Sequence, residues 1–127
     1  MLRLMIVDDE QIIREALSSM IDYTSLGYEV IATAKNGMEA YDRIRDDYPD
    51  VVITDIKMPF MDGLELSDIL KKKMPKIQII ILSGYGEFDY AKEAIKIGVT
   101  DYLTKPVTGE QLLEALNLSL IHISEPT

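Results

Sequence analysis

The sequence has no cysteine, no tryptophan, one histidine and two phenylalanines among its 127 residues. Without cysteine, the chain can form neither a disulfide framework nor a thiolate metal site, and it has no thiol nucleophile. All its apolar runs are shorter than the roughly 20 residues that a membrane-spanning helix needs. The N-terminal apolar stretch is short and ends in Asp8 and Asp9, unlike a secretory signal. We therefore expect a cytoplasmic protein that does not associate with membranes.

Basic residues are also scarce, since 13 lysines and arginines stand against 22 aspartates and glutamates, for a net charge of −9. Such an acidic chain gains no long-range attraction to nucleic acid or to anionic lipid. We expect any nucleic acid binding to come from a part outside this chain. The length is that of one ordinary domain with its own core.

Short apolar runs alternate with segments in which apolar residues recur every three or four positions. The short runs predict strands at Leu2–Val7, Tyr28–Ala34, Val51–Thr54, Ile77–Leu82 and Asp101–Thr104. The periodic segments predict helices with an apolar stripe toward a sheet, formed by Ile12, Ile13, Ala16, Leu17, Met20 and Ile21, by Ala40 and Ile44, by Leu66, Ile69 and Leu70, and by Phe88, Ala91 and Ile95. This alternation indicates parallel βαβ units. We predict an α/β fold, a doubly wound five-stranded parallel sheet with helices on both faces.

Polar residues come at the ends of four predicted strands. Asp8 and Asp9 follow the first, Asp55 ends the third, Ser83 follows the fourth and Lys105 follows the fifth. In a doubly wound sheet these carboxyl ends share one rim, where the functional crevice lies. Three carboxylates held together repel one another, and a hard cation such as Mg²⁺ relieves the repulsion. A lysine and a hydroxyl beside them suit phosphoryl oxygens, so the residues predict phosphoryl chemistry on a carboxylate.

Each of these residues also has a purely structural interpretation. The Asp8 and Asp9 pair is typical of a helix cap, Asp55 of a turn, and Lys105 of a solvated lysine before a proline. Tyr102, taken alone, is typical of a half-buried core tyrosine. The structural interpretation requires the site residues to fall by chance on one rim in the right order, so we favour the functional one.

Five short motifs together resemble the receiver (CheY-like) domain of two-component response regulators. They are Asp8-Asp9-Glu10, Thr54-Asp55-Ile56-Lys57-Met58-Pro59, Met61-Asp62-Gly63, Leu82-Ser83-Gly84-Tyr85 and Tyr102-Leu103-Thr104-Lys105-Pro106. Each motif alone is weak, but the ordered set is specific, and the likeness runs from Leu2 to about Leu116. It implies the flavodoxin-like strand order 2-1-3-4-5.

The resemblance also implies a role for each acidic residue. Asp55 is the nucleophile that takes a phosphoryl group from a phosphohistidine of a sensor histidine kinase, giving an acyl phosphate. Asp9 and Asp55 bind Mg²⁺ directly, Asp8 acts largely through water, and the backbone carbonyl of Lys57 completes the protein ligands. Such a domain catalyses its own phosphorylation and dephosphorylation, but it is mainly a signalling switch.

Four further residues acquire roles from the same resemblance. Lys105 and Ser83 contact the oxygens of the transferred group. The new negative charge attracts Ser83 and lets Tyr102 rotate into the space that is vacated. Pro106 is joined to Lys105 by a cis peptide bond in this family. The face around the fourth helix and the fifth strand then carries the signal, with homodimerisation on phosphorylation.

Three other classes of protein share parts of this pattern. A haloacid-dehalogenase-type phosphatase also uses an aspartyl nucleophile, but Lys57 stands where its second acid belongs. A pseudo-receiver that only binds proteins would lack one or more of the site groups, all of which are present. A flavodoxin-like flavin binder requires a hydroxyl-rich and glycine-rich phosphate loop after the first strand, where Asp8 and Asp9 would repel phosphate.

The segment from Ser83 to Ile95 resembles receivers of transcriptional regulators that carry an AraC-type helix-turn-helix output domain. Residues 1–117 form the predicted receiver domain, which leaves no room for such an output domain in this chain. We expect a receiver separated from its DNA-binding domain, the alternative being a stand-alone receiver. Residues 118–127 depart from the charged, amphipathic pattern expected at the end of the last helix. We interpret them as a C-terminal tail of non-native, gene-assembly origin.

Overall fold

The computed structural model describes residues 1–84 and 89–124, which contain the predicted parallel sheet. The strands are β1 (Leu2–Val7), β2 (Tyr28–Ala34), β3 (Val51–Asp55), β4 (Gln78–Ser83) and β5 (Asp101–Thr104). They lie in the order β2-β1-β3-β4-β5, and all neighbouring strands are parallel. The predicted fold and strand order are confirmed. The bounds of two strands differ from the prediction: β3 includes Asp55, and β4 begins and ends one residue later.

Helices cover both faces of the sheet. They are α1 (Gln11–Ser19), α2 (Gly37–Asp46), α3 (Gly63–Lys73), α4 (Tyr90–Ile97) and α5 (Gly109–Ser124), with a short 3₁₀ turn at Thr24–Leu26. Asn36 and Asp62 cap α2 and α3, each accepting the backbone N–H three residues later at 2.8 Å. Thr108 and Gln111 exchange hydrogen bonds as a capping box for α5. Within the described residues, no helix is long and apolar enough to cross a membrane.

The core has two halves, one on each side of the sheet. Side chains of Met5 and Val7 pack with α2, α3 and α4, whereas Leu4 and Ile6 pack with α1 and α5. Strands β3 and β4 are buried along their whole length. Burial on both faces explains why these strands read as continuous apolar runs rather than as alternating patterns.

Three apolar residues that were predicted to face the sheet are exposed to solvent instead. Ile12 is 81% exposed, Ile95 is 76% exposed and Ala16 is also exposed. The buried contacts of α1 and α4 are made by Leu17 and Ala94. A short helix touches a sheet along a narrow strip, so only part of an apolar stripe with three-residue and four-residue spacing is covered. Phe88, from the same predicted stripe as Ile95, lies outside the described residues.

Helix α5 continues across the predicted domain boundary after residue 117. Ser119 is buried, and its hydroxyl donates to the carbonyl oxygen of Ala115 at 3.1 Å. Ile123 packs against the half of the core that faces α1 and α5. These contacts extend the helix but carry no information on the origin of the sequence, so the non-native tail stays a prediction.

Candidate functional site

The predicted site residues meet where four strands end. Asp8 follows β1, Asp55 and Ser83 are the last residues of β3 and β4, and Lys105 follows β5. Ser83 lies directly beside Thr104 in the register of β4 and β5. Because the strands are parallel, their carboxyl ends lie along one rim of the sheet. The topology thus brings together Asp8 and Lys105, which are 97 positions apart in the sequence.

Asp8, Asp9 and Asp55 form an acidic cluster on this rim. One carboxylate oxygen from each residue lies within 4.8 Å of the other two. Asp8 is 0% exposed and Asp55 is 6% exposed, whereas Asp9 is open to solvent. The cluster therefore has a buried floor and an accessible side. Three hard oxygen donors at this separation fit a divalent cation such as Mg²⁺ and are a poor match for a soft metal.

Lys105 supplies a positive charge inside the cluster. Its Nζ lies 3.1 Å from Oδ2 of Asp8 and 3.1 Å from Oδ1 of Asp55. The backbone N–H of Lys105 donates to the carbonyl oxygen of Ser83 at 2.7 Å, which ties this residue to the end of β4. The predicted cis peptide bond between Lys105 and Pro106 is present. The alternative interpretation of Lys105 as a solvated lysine is therefore wrong.

The electrostatics of the cluster disfavour the negatively charged form of Asp55. Burial and the neighbouring Asp8 carboxylate raise the pKa of Asp55 from its ordinary 3.8 to about 6, against the lowering effect of Lys105. Burial disfavours the charge of Lys105, but the summed attraction of Asp55 and Asp8 outweighs it and raises the pKa of the ammonium. The lysine is thus charged at neutral pH and partly offsets the repulsion between the carboxylates.

The turn after β1 holds Asp8 by its backbone and by its side chain. Oδ1 of Asp8 accepts the backbone N–H of Glu10 at 3.0 Å, and Nη1 of Arg14 donates to the carbonyl oxygen of Asp8 at 2.7 Å. Glu10 is the residue that precedes α1, and it makes no side-chain cap. The Asp8 and Asp9 pair therefore does not cap α1, contrary to its structural interpretation.

The backbone after β3 folds back tightly on Asp55. Oδ1 of Asp55 accepts the N–H of Ile56 at 2.9 Å, and the N–H of Gly63 donates to the carbonyl oxygen of Ile56 at 2.7 Å. A Cβ atom on Gly63 would overlap the carbonyl group of Asp55. Glycine is thus required here by the close approach of two backbone segments, and the loop between them starts and ends at the site.

A family model described as the response regulator receiver domain matches residues 4–117. The chain belongs to this family. The function predicted from the motifs, a receiver domain of two-component response regulators, is confirmed at this level.

Similar proteins agree with the assignment. The transcriptional regulatory protein YesN of Bacillus subtilis is 47% identical over 116 residues, which cover 91% of this chain and 32% of YesN. HptR of Staphylococcus aureus, also a transcriptional regulatory protein, is 42% identical over 112 residues, or 88% of this chain and 44% of HptR. The chain thus spans between a third and a half of the curated relatives it matches here.

Solved structures of receivers superpose closely on this one. The REC domain of AraT, a response regulator from Geobacillus stearothermophilus, has a TM-score of 0.88 and 39% identity, with 94% of each chain covered. A two-component transcriptional regulator AraC from Clostridium phytofermentans has a TM-score of 0.85 and 32% identity, covering 97% of this chain and 94% of the other. The resemblance to receivers of the AraC type is therefore confirmed.

The other predicted receiver residues lie on the same rim or next to it. Ser83 is 2% exposed at the end of β4. Tyr102 is half-buried in β5, pairs with Ile81 and packs against the α2–α4 half of the core. Lys57 is exposed two residues after β3 ends, and Pro106 is exposed beyond β5. Their roles in metal binding and switching stay predictions, and the segment from Tyr85 to Phe88 lies outside the described residues.

Sequence reasoning missed Arg14 as a site residue. Arg14 lies on α1 but is not part of its apolar stripe. The periodicity therefore predicts that its side chain points to solvent. Its contact with Asp8 depends on how α1 leaves the β1 turn, and a one-dimensional pattern carries no signal for that geometry. Only the position of Arg14 one turn after Glu10, near the acidic motif, points toward the site.

Proposed function

We propose that this receiver accepts a phosphoryl group on Asp55 from a phosphohistidine of a sensor histidine kinase. The observation that carries the proposal is the Asp55 carboxylate at the rim, clustered with Asp8 and Asp9 and 3.1 Å from the Lys105 ammonium. In the transfer, the nitrogen–phosphorus bond of the donor breaks as an oxygen–phosphorus bond to Asp55 forms. The donor imidazole leaves with the electron pair of the broken bond.

The acidic cluster is the proposed Mg²⁺ site. Asp9 and Asp55 would hold the ion directly and Asp8 largely through water, with the backbone carbonyl of Lys57 as a further ligand. The bound ion would supply positive charge to the oxygens of the phosphoryl group during its transfer. The donor set supports this choice, because three carboxylates and one ammonium leave an excess of negative charge.

Two further side chains complete the proposed chemistry. The Lys105 ammonium already lies between Asp8 and Asp55, so it would pair with an oxygen of the group bound to Asp55. The hydroxyl of Ser83, at the neighbouring strand end, would donate to another oxygen. The Lys105 ammonium is close to Asp55 before the donor arrives, which would limit the reorganisation that transfer requires.

The same proposal gives the domain a switching role. Phosphorylation adds about −1.5 to −2 charges, which would attract Ser83 and release space for Tyr102 to rotate inward. The face formed by α4, β5 and α5 would then dimerise and signal to a transcriptional, DNA-binding output domain of the AraC type. The cytoplasm is the proposed compartment, since both a kinase donor and a gene-regulatory output operate there. A sedimentation experiment that finds the same monomer before and after phosphorylation would contradict the dimer.

Intact-protein mass spectrometry tests the central step. The wild type should gain about 80 Da after incubation with acetyl phosphate and Mg²⁺, and the gain should be lost on mild base treatment. Asp55→Asn and a wild-type sample in EDTA should show no gain. If the wild type gains no mass, and native mass spectrometry also finds no adduct with beryllofluoride and Mg²⁺, the chain is a protein-binding pseudo-receiver and Asp55 is a turn residue.

A further inference from the structure

Phe60 combines a strained backbone with an exposed aromatic ring. Its φ angle is 71°, and within the described residues it is the one non-glycine residue with positive φ. Its side chain is 86% exposed. A bulky residue with a positive φ angle destabilises the folded state, and an exposed ring contributes no stabilisation by burial. A strained backbone that is not offset by burial of its side chain points to a use in function.

The strain is located in a tight turn. The N–H of Met61 donates to the carbonyl oxygen of Pro59 at 2.8 Å, which closes a three-residue turn with Phe60 at its centre. Turns of this kind with a positive central φ are rare and strained. Glycine would adopt the same angle without penalty, so the turn alone does not require a phenylalanine.

The loop on either side of Phe60 is anchored. Met58 is buried and Met61 packs against the core, so the two methionines point inward while the ring of Phe60 points outward. The N–H of Gly37 donates to the carbonyl oxygen of Met61 at 3.3 Å, which fastens the loop to the start of α2. The backbone that carries the exposed ring is therefore held in place.

The position of the loop identifies the partner. Gly63 packs on the backbone of Asp55, and three residues span at most about 11 Å, so Phe60 lies within roughly 15 Å of the phosphoryl acceptor. A small phosphodonor reaches Asp55 without covering this distance. A protein that brings a phosphohistidine to Asp55 has to lay its surface across the rim and over its surroundings. Aromatic side chains are frequent anchors in such interfaces.

We infer that Phe60 is a docking residue for the protein that donates the phosphoryl group, and that it distinguishes protein donors from small-molecule donors. The inference rests on the proposed function, because it takes Asp55 as the acceptor. Phe60 does not touch the reacting atoms in this assignment. Its effect is confined to the encounter with the donor protein, so it should change the concentration dependence of transfer more than its limiting rate.

Parallel phosphorylation assays with two kinds of donor test this inference. Phe60→Ala and Phe60→Gly should match the wild type with acetyl phosphate and Mg²⁺. The second donor is a purified, autophosphorylated histidine kinase, chosen from a set as the one that phosphorylates the wild type fastest. With this kinase, both variants should lose about tenfold in kcat/KM, chiefly through a higher KM. Phe60→Tyr should retain most of the wild-type kcat/KM. Tyr48→Ala is the matched control. Tyr48 is 61% exposed and lies just before β3, at the amino ends of the strands and thus on the opposite rim of the sheet.

The outcomes separate this inference from the proposed function. Equal rates for all variants with the kinase donor would overturn it, and so would equal losses with both kinds of donor, which would make Phe60 part of the chemistry or of the loop shape. A wild type that accepts from acetyl phosphate but from no kinase would also overturn it. A wild type that never becomes phosphorylated refutes the proposed function itself. A higher melting temperature for Phe60→Gly than for Phe60→Ala would verify the strain in the turn.

Discussion

The Lys105 ammonium lies 3.1 Å from the Asp55 carboxylate, the group that we propose as the phosphoryl acceptor. The same nitrogen lies 3.1 Å from the Asp8 carboxylate, so one ammonium group pairs with two buried carboxylates. Asp9 adds a third negative charge from the exposed side of the cluster. The side chains of the site therefore carry excess negative charge in a poorly solvated place, and this imbalance has measurable consequences for folding and for metal binding.

Replacing Asp55 by asparagine should stabilise the metal-free protein at neutral pH. The folded-state pKa of about 6 lies above the ordinary 3.8, so between these values the folded state holds a proton that the unfolded chain has released. The contribution of Asp55 to wild-type stability then falls as pH rises from about 4 to 6, by up to about 3 kcal/mol at about 1.4 kcal/mol per pKa unit. Asp55→Asn lacks this loss. Urea unfolding in EDTA at pH 4.5 and 7.5 measures both proteins.

The control for this prediction is Asp68→Asn, which removes a surface carboxylate on α3 that pairs with Lys72. It should follow the pH dependence of the wild type. The same pH dependence of stability in the wild type and in Asp55→Asn would contradict the raised pKa of Asp55.

Mg²⁺ should stabilise the wild type, and Asp9→Asn should weaken that effect. An ion that binds only the folded state adds about 2.7 kcal/mol at a concentration of 100 Kd, which corresponds to a rise in Tm of roughly 10 °C for a domain of this size. Asp9 is exposed, so its replacement removes a ligand without disturbing the core. Thermal scans over a Mg²⁺ series give the apparent Kd. Asp42→Asn, which removes an exposed acid on α2, should behave like the wild type, and an equal Mg²⁺ response in Asp9→Asn would exclude Asp9 as a ligand.

Most of the fold was predictable because each strand is a short apolar run with turn residues at its ends. Val51 to Thr54 is buried on both faces, and a fully buried strand leaves a continuous apolar pattern in the sequence. The orientation of the helices was less predictable. Ile95 fits the apolar period of α4 yet points to solvent, because the sheet covers only a narrow strip of the helix and Ala94 occupies it.

The site was predictable to the extent that topology fixes it. Parallel strands deliver their carboxyl ends to one rim, so Asp55 and Lys105 had to come close once the strand assignment was right. The contact of Arg14 with the Asp8 backbone depends on the angle at which α1 leaves the turn. The positive φ of Phe60 contradicts the preference of its residue type, so no local rule would have predicted it.

Replacing Gly63 by alanine should destabilise the protein and slow phosphorylation. The added Cβ would overlap the Asp55 carbonyl group, and backbone atoms cannot move aside without shifting the acceptor. Overpacking of this kind costs about 1–3 kcal/mol. Gly109→Ala is a closely matched control, since Gly109 also opens a helix but its nearest neighbour, Ile21, would be 3.5 Å from the new Cβ. Urea unfolding should find Gly109→Ala unchanged or slightly stabilised, whereas equal effects in both variants would refute the close-approach argument.

Replacing Arg14 tests whether its hydrogen bond to the Asp8 carbonyl positions the acidic turn. Removing a group that orients a metal ligand by a hydrogen bond commonly weakens metal affinity tenfold or more. The charge of Arg14 works in the opposite direction, because a nearby cation repels Mg²⁺. Arg14→Met removes both effects, whereas Arg14→Lys keeps the charge and changes the hydrogen-bond geometry. If positioning dominates, both variants raise the Kd for Mg²⁺ by about tenfold. If repulsion dominates, Arg14→Met binds Mg²⁺ more tightly than the wild type, and the positioning role is refuted. Arg45→Met, which removes an exposed arginine that pairs with Asp42 on α2, controls for a general change in net charge.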